Sequence, residues 1–519
     1  MLTHSARRRL AGLGVTGALI AASATPASAT EANISLGVYF GDTTIAAGSP
    51  GKVEGTIVYA SSPVVVRDFT IRYDFTDLTG KATVTSDDSW CTAPEANTLV
   101  CTYPYEVDLD EWGYGGLFQV AIAPAEDAKD GDTGTLKVSA SGAGLAPVTH
   151  EARVRVGEGV DLAGGQSTKR SGDPGKAFTA PLKVTNTGAS VAKGASVIFY
   201  NDNAIQADKR YKNCTYVGTR LLSCHFDGDL APGASYDTTL AYRVGKDAFA
   251  PSFAYGEIGW MTPAEFEDFD AYLKNRGFTL GEPGTDGELK LTEVGPSIAA
   301  RNAQADIEPD NNWSSLALTV TGKNGTDLEA IGDKVSGAKG DEVVATVGFR
   351  NNGPATLDYS RGGSSVTYLE IGVPTGTSAV TVPDNCSPVS NKGEWGEPGE
   401  PGGRTYRCYA SSFIKAGDEE TIEFGLRIDK VTPNATGKVK INVPCQCDGG
   451  FYSDLKPSND TAKIVVNANG QGGDGGQGGG ELPITGANTV LIAGAGSVLL
   501  AAGVVGFVLA RRRRTHFTA

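Results

Sequence analysis

Two pairs of cysteines recur along the chain with one internal spacing: nine residues separate Cys91 from Cys101 and Cys214 from Cys224, and the pairs lie 123 residues apart. Upstream, Ser49-Pro50-Gly51-Lys52 and Asp173-Pro174-Gly175-Lys176 repeat at an offset of 124. A looser third copy has Ala338-Lys339-Gly340-Asp341 in place of the first element and Cys386 with Cys408 in place of the second. Gly233 follows Cys224 by nine residues and Gly417 follows Cys408 by nine, each at the end of a short turn sequence. Such a chain is a series of diverged repeats, each of which must close its own core.

The repeats are patterned for strands. In the first, residues 52–60, 64–75, 116–124, 134–140 and 151–156 are short, β-branched and alternating, with Gly, Pro and Asp between them. The expected fold is all-β: three tandem immunoglobulin-like β-sandwiches over residues 30–157, 158–322 and 323–467. One insertion, within 260–300, breaks the pattern. Thr262-Pro263-Ala264-Glu265 is a capping box with proline at the first helical position, and Gly277 offers a stop. Phe266, Phe269 and Leu273 form an apolar stripe on this helix, with Glu265, Glu267, Asp268 and Asp270 mostly off it. The stripe is expected to lie across the repeat's own sandwich.

Both ends carry targeting signals. Arg7-Arg8-Arg9, an apolar stretch over 10–22 and Ala27-Ser28-Ala29 read as a signal peptide over 1–29, cut between Ala29 and Thr30. At the other end, Leu482-Pro483-Ile484-Thr485-Gly486 is followed by an apolar run over 490–510 and by Arg511 to Arg514. That run is long enough to span a bilayer, and the arginines hold its end on the cytoplasmic side. Between the last repeat and the pentapeptide, residues 468–481 read as a Gly-rich linker. The eight cysteines of an exported chain are read as disulfides. Cys91 is expected to pair with Cys101 and Cys214 with Cys224. In the third repeat four cysteines allow three connectivities, and analogy with the first two favours Cys386 with Cys408, which leaves Cys445 to Cys447.

Pentapeptide, hydrophobic segment and basic tail over 482–519 together resemble the LPXTG sorting signal of Gram-positive, actinobacterial-type wall proteins. The resemblance implies a sortase substrate, cut after Thr485 and passed to an amine of peptidoglycan. It also implies a protein secreted and anchored to the cell wall, its precursor held transiently in the membrane. Val184-Thr185-Asn186-Thr187-Gly188 and Phe349-Arg350-Asn351-Asn352-Gly353-Pro354, with the closing segments 306–311 and 454–459, resemble Ig-like repeats of bacterial envelope proteins such as the cell-adhesion-related bacterial domain. In both turns Asn or Gly is expected to supply a positive φ. The first repeat lacks the Asn-x-Gly turn.

Charge and inventory narrow the function. Neither processing segment contains an acid; the signal holds three arginines and the tail four, so the region between keeps 38 basic side chains against 60 acidic ones, near −22. That balance argues against nucleic acid as a partner. Of the four histidines only His150 and His225 lie between the cleavage points, and no nucleophile elbow, H-E-x-x-H helix or phosphate loop is present there. No enzyme, cofactor or metal is expected, and the Asp-rich segments at 306–312 and 454–460 read as solvated turns. The reading is a non-enzymatic wall-anchored protein acting in adhesion or envelope organisation, with a protein or glycan as ligand. The alternative is a surface carbohydrate-binding protein that retains polymeric substrate. Trp395, within the Gly/Glu/Pro-rich loop 391–404, is either a ligand contact or a lid on its own loop.

Overall fold

The computed structural model describes residues 34–110, 113–275, 277–293, 304–443 and 453–467. The signal peptide, Cys445, Cys447, the linker, the sorting motif and the apolar tail lie outside these residues. Within them the chain is almost entirely β, and its buried apolar side chains fall mainly into three separate cores, over residues 36–156, 160–320 and 328–464. Alternation explains the strands. In Thr133–Gly142, Leu136, Val138 and Ala140 point inward and are fully buried, while Lys137 points outward and pairs with Glu151 on the adjacent strand.

Each core is enclosed by two sheets of one recurring plan. In the first module one sheet runs Leu36–Tyr39, Lys52–Ala60, Tyr114–Pro124, Ala82–Thr85; the other runs Thr43–Ala46, Leu145–Val160, Thr133–Gly142, Thr70–Asp74, Thr98–Thr102, Cys91–Thr92. The first strand is thus divided between the sheets, and its second half pairs in parallel with the module's last strand. The same division recurs at Leu162–Gly164 with Thr168–Gly172, and at Thr326–Ile331 with Asp333–Val335. The strand expected over 64–75 is two: Val64–Val66 leaves the sheet to pair with Val107–Leu109 in a small ribbon, and Thr70–Asp74 stays in it.

Three disulfides, Cys91–Cys101, Cys214–Cys224 and Cys386–Cys408, tie the outermost hairpin of the larger sheet at equivalent positions. In the third module's turn Gly353 supplies the expected positive φ, at 70°, whereas in the second module's turn neither Asn186 nor Gly188 does. Asn186 and Asn351 have an additional job: each is fully buried and uses its amide as a staple. Asn186 donates to the carbonyls of Ser190 and Leu230 and accepts from Gly188, and Asn351 repeats this with Ala355, Ile414 and Gly353. A buried amide with its donors and acceptor engaged fixes the turn and the facing strand together.

The modules are joined by built interfaces. Glu158 to Val160, leaving the first module, pair in parallel with Gln304–Asp306. Helix α1, Pro263–Asn275, then bridges the first two modules. Its capping box forms as read: Glu265 Oε2 accepts from the Thr262 amide at 2.9 Å and Thr262 Oγ1 accepts from the Glu265 amide at 3.3 Å. Phe266 packs on His225 of its own module, as the stripe predicts. The acidic side of the helix meets the first module, a contact for which the sequence provides no expectation. Glu265 pairs with Lys52 at 2.5 Å, and Asp268 accepts from Arg155 at 2.5 Å and from Thr44 at 2.6 Å. Tyr272 lies 5.6 Å from Tyr39, ring to ring.

The second and third modules meet around Arg361. Its guanidinium contacts Asp202 at 2.7 Å and the carbonyls of Tyr200 and Tyr255 at 2.9 Å, over the Tyr200 ring at 4.3 Å. Beside it the Asn203 amide donates to Asp358, and Thr356 donates amide and hydroxyl to Asp247.

Candidate functional site

The two histidines are engaged structurally. His150 Nε2 lies 3.0 Å from the Phe40 carbonyl, and His225 Nδ1 lies 3.0 Å from Ser196 Oγ, with burial lowering its pKa. A shallow depression of about 340 Å³ lined by Gly372, Val373, Thr436, Gly437, Lys438, Thr461 and Lys463 offers two cations and no acid to partner them. Among the described residues no group of three or more His, Cys, Asp or Glu is arranged to hold a metal ion.

The densest exposed chemistry is aromatic and sits at one end of the first module. Register locates it. Arg155 and Thr44 mark the end that meets α1, and the antiparallel partners carry Thr102 and Cys91 to the opposite end. There Trp90 precedes Cys91 while Tyr103 and Tyr105 follow Cys101, its disulfide partner. Trp90 meets Tyr103 edge to face at 5.1 Å and Tyr105 at 6.1 Å, and Tyr103 meets Tyr105 at 5.6 Å. Tyr103 roots the cluster against Phe118, which is fully buried. Trp90 keeps 39% of its surface exposed and Tyr105 keeps 65%, values at which large rings gain little from the fold itself. The Asp88 carboxylate caps the Trp90 amide at 2.9 Å, which sets the loop that presents the indole.

Trp395 does both of the things its sequence left open. It folds onto Tyr409 in a near-parallel stack at 5.7 Å and 28°, beneath Arg407 at 5.9 Å, and it remains 42% exposed. The backbone holds it there through a bridge with Val389.

The structure does not bring Trp395 together with the Trp90 cluster: they stand on the first and third modules, each beside an equivalent disulfide. Trp90, Tyr103 and Tyr105 carried a signal in the sequence, since aromatic residues flank a cysteine pair on a hairpin at the sheet edge, where half the side chains must face water. Leu482, Pro483, Ile484, Thr485 and Gly486, with Ala27, Ala29 and Thr30, fall outside the described residues.

No family model matches the chain, and no curated protein does. Among solved structures, the chain is similar to Escherichia coli alpha-2-macroglobulin activated by porcine elastase (11% identity, 84% of this chain and 33% of that one, TM-score 0.14). It is also similar to Dpr2 Ig1-Ig2 in complex with DIP-Theta Ig1-Ig3 (9%, 83% and 98%, TM-score 0.17). A third similarity is to the Streptococcus agalactiae AgI/II polypeptide BspA C terminal domain (10%, 59% and 99%, TM-score 0.14). The chain spans about a third of the length of the first. At these scores none of the three bears on what this chain does.

Proposed function

We propose that this chain is a non-enzymatic surface protein, exported, cut after Ala29, joined through Thr485 to peptidoglycan by sortase, and displaying three immunoglobulin-like modules for adhesion or envelope organisation. The observation that carries this reading is the unbroken order of pentapeptide, apolar run 490–510 and Arg511 to Arg514. The clamped modules support it. Lys52 with Glu265 and Arg361 with Asp202 hold successive sandwiches in fixed relation, as a spacer that presents a distal face requires. The test is expression of the full chain in a sortase-bearing Gram-positive host. Wild type should be recovered from the wall fraction after muralytic digestion, and Thr485→Ala should shift to the membrane fraction. Equal distribution of the two would end the anchoring reading.

A second reading, carbohydrate binding, draws on one observation: Trp395, stacked on Tyr409, keeps 42% of its surface exposed and Tyr409 keeps 47%, which leaves aromatic surface that a sugar could contact. Depletion of the chain by purified peptidoglycan, chitin or cellulose, with and without calcium, tests it. Loss of that depletion in Trp395→Ala would establish the contact.

A further inference from the structure

The three modules share a plan, so an equivalent end can be compared in each. In the third module that end carries a two-stranded ribbon, Leu357–Asp358 with Phe413–Ile414, and the second module is seated on it through Asn203 to Asp358 and Asp202 to Arg361. In the second module the corresponding end carries that module's own α1: Phe266 lies on His225, and the helix's other face is pinned to Lys52 and Arg155 of the first module. The first module has the same ribbon, Val64–Val66 with Val107–Leu109, whose second strand follows Tyr105 by one residue, and there Val65, paired with Asp108, is 55% exposed. Among the described residues, a surface that is an interface in the other two modules is uncovered in the first.

Its chemistry selects an occupant. Asp87, Glu106 and Asp108, within three residues of Trp90 or Tyr105 in the chain, are exposed, Asp88 is half-buried and accepts from the Trp90 amide, and Arg67 is paired with Glu106 at 2.7 Å. The rings meet at 89°, 84° and 75°, so they offer corners and faces in several directions and no coplanar platform for a sugar ribbon. Ring faces next to carboxylates suit guanidinium and ammonium groups, which gain from the ring quadrupole and the negative rim together. An aromatic centre with a charged rim is also the usual anatomy of a protein interface.

We propose that the free end of the first module is a docking surface for a basic polypeptide segment, anchored by Trp90 and Tyr105 and steered by Asp87, Asp88, Glu106 and Asp108. This names the partner class for the displayed-protein reading and rests on that reading for its biological setting. The binding itself is read in solution, so failure of wall anchoring would leave it measurable, and the Thr485→Ala chain should bind as wild type does.

The purified full chain in detergent is titrated with a fluorescent oligo-arginine peptide at physiological salt, with oligo-glutamate and a chito-oligosaccharide as comparisons. Saturable single-site binding of oligo-arginine alone is expected. It should weaken about tenfold or more in Trp90→Ala/Tyr105→Ala, while Trp395→Ala stays within about twofold of wild type. Asp87→Asn/Glu106→Gln, which leaves the rings in place, should weaken binding and flatten its salt dependence. Unchanged thermal unfolding would show that these exposed substitutions spare the fold. The proposal is overturned by absence of saturable binding, by equal affinity across the variants, which would mean diffuse net charge alone, or by oligosaccharide binding that disappears with Trp90.

Discussion

Lys52 and Glu265 stand 213 residues apart in the chain and form an ion pair at 2.5 Å between two modules, with only 18% and 9% of their side chains exposed. Burial pushes the Glu265 carboxyl up, but Lys52 and the amides of Asp306 and Thr262 more than offset it and hold the group below its ordinary value. Removing one partner leaves the other charged and desolvated. Lys52→Met and Glu265→Gln should each cost about 3 kcal/mol of unfolding free energy, and the double variant should cost less than the sum. Denaturant unfolding of the four forms checks this; strict additivity would mean the pair is not coupled.

Asp306 gives the same junction a pH dependence of opposite sign. It is 3% exposed, and burial, with Glu265 nearby, lifts its pKa to about 6 although the Leu162 and Glu308 amides donate to it. An acid with a raised folded pKa binds more protons folded than unfolded. Its contribution is therefore greatest below about pH 4 and falls by roughly 3 kcal/mol as pH rises to about 6. Glu265, with a lowered pKa, acts the other way and loses its contribution as pH drops below about 4. Asp306→Asn should flatten the decline between about pH 4 and pH 6 in thermal unfolding followed across pH, and an unchanged slope would refute the assignment.

The repeat, the strands and α1 were legible because each rests on local chemistry. Cysteine spacing, period-two burial and the Thr262 to Glu265 capping box all act within a few residues. What the sequence concealed is long-range. That α1 would turn its acidic face to the first module depends on Lys52 and Arg155, which lie over 100 residues away and look like ordinary surface cations. Asn186 and Asn351 were read as turn residues, and their long-range partners are the carbonyls of Leu230, on the opposite sheet, and Ile414, on the small ribbon with Leu357–Asp358. Trp90 and Tyr105 were not singled out from the sequence, although they flank a cysteine pair there, and that they share one end of the module follows only from strand register.

The disulfides should differ in worth. Both sulfurs of Cys214–Cys224 are fully buried, whereas Cys91 is half-exposed. Closing a ten-residue loop contributes about 2 to 3 kcal/mol in the chain-entropy account, the same for either pair. Replacing the buried pair by alanine adds the loss of packing around it, roughly 1 to 2 kcal/mol more. Cys214→Ala/Cys224→Ala should therefore unfold at lower denaturant than Cys91→Ala/Cys101→Ala, and the reverse order would show that the second core collapses around the gap.

Arg361 is the corresponding key to the second junction. One planar guanidinium meets Asp202, two carbonyls and the Tyr200 ring, with Glu257 at 3.6 Å. An ammonium is a point charge on a flexible stem and cannot hold those directions at once. Arg361→Lys should thus behave like Arg361→Ala, each costing about 2 kcal/mol through unpaired charge-assisted hydrogen bonds on Asp202 and the exposed carbonyls. The decisive readout is orientation: spin labels placed on the second and third modules should report a broadened distance distribution in both variants. A lysine variant as sharply distributed as wild type would mean that charge alone sets the junction and that the fork and the stack on Tyr200 are incidental.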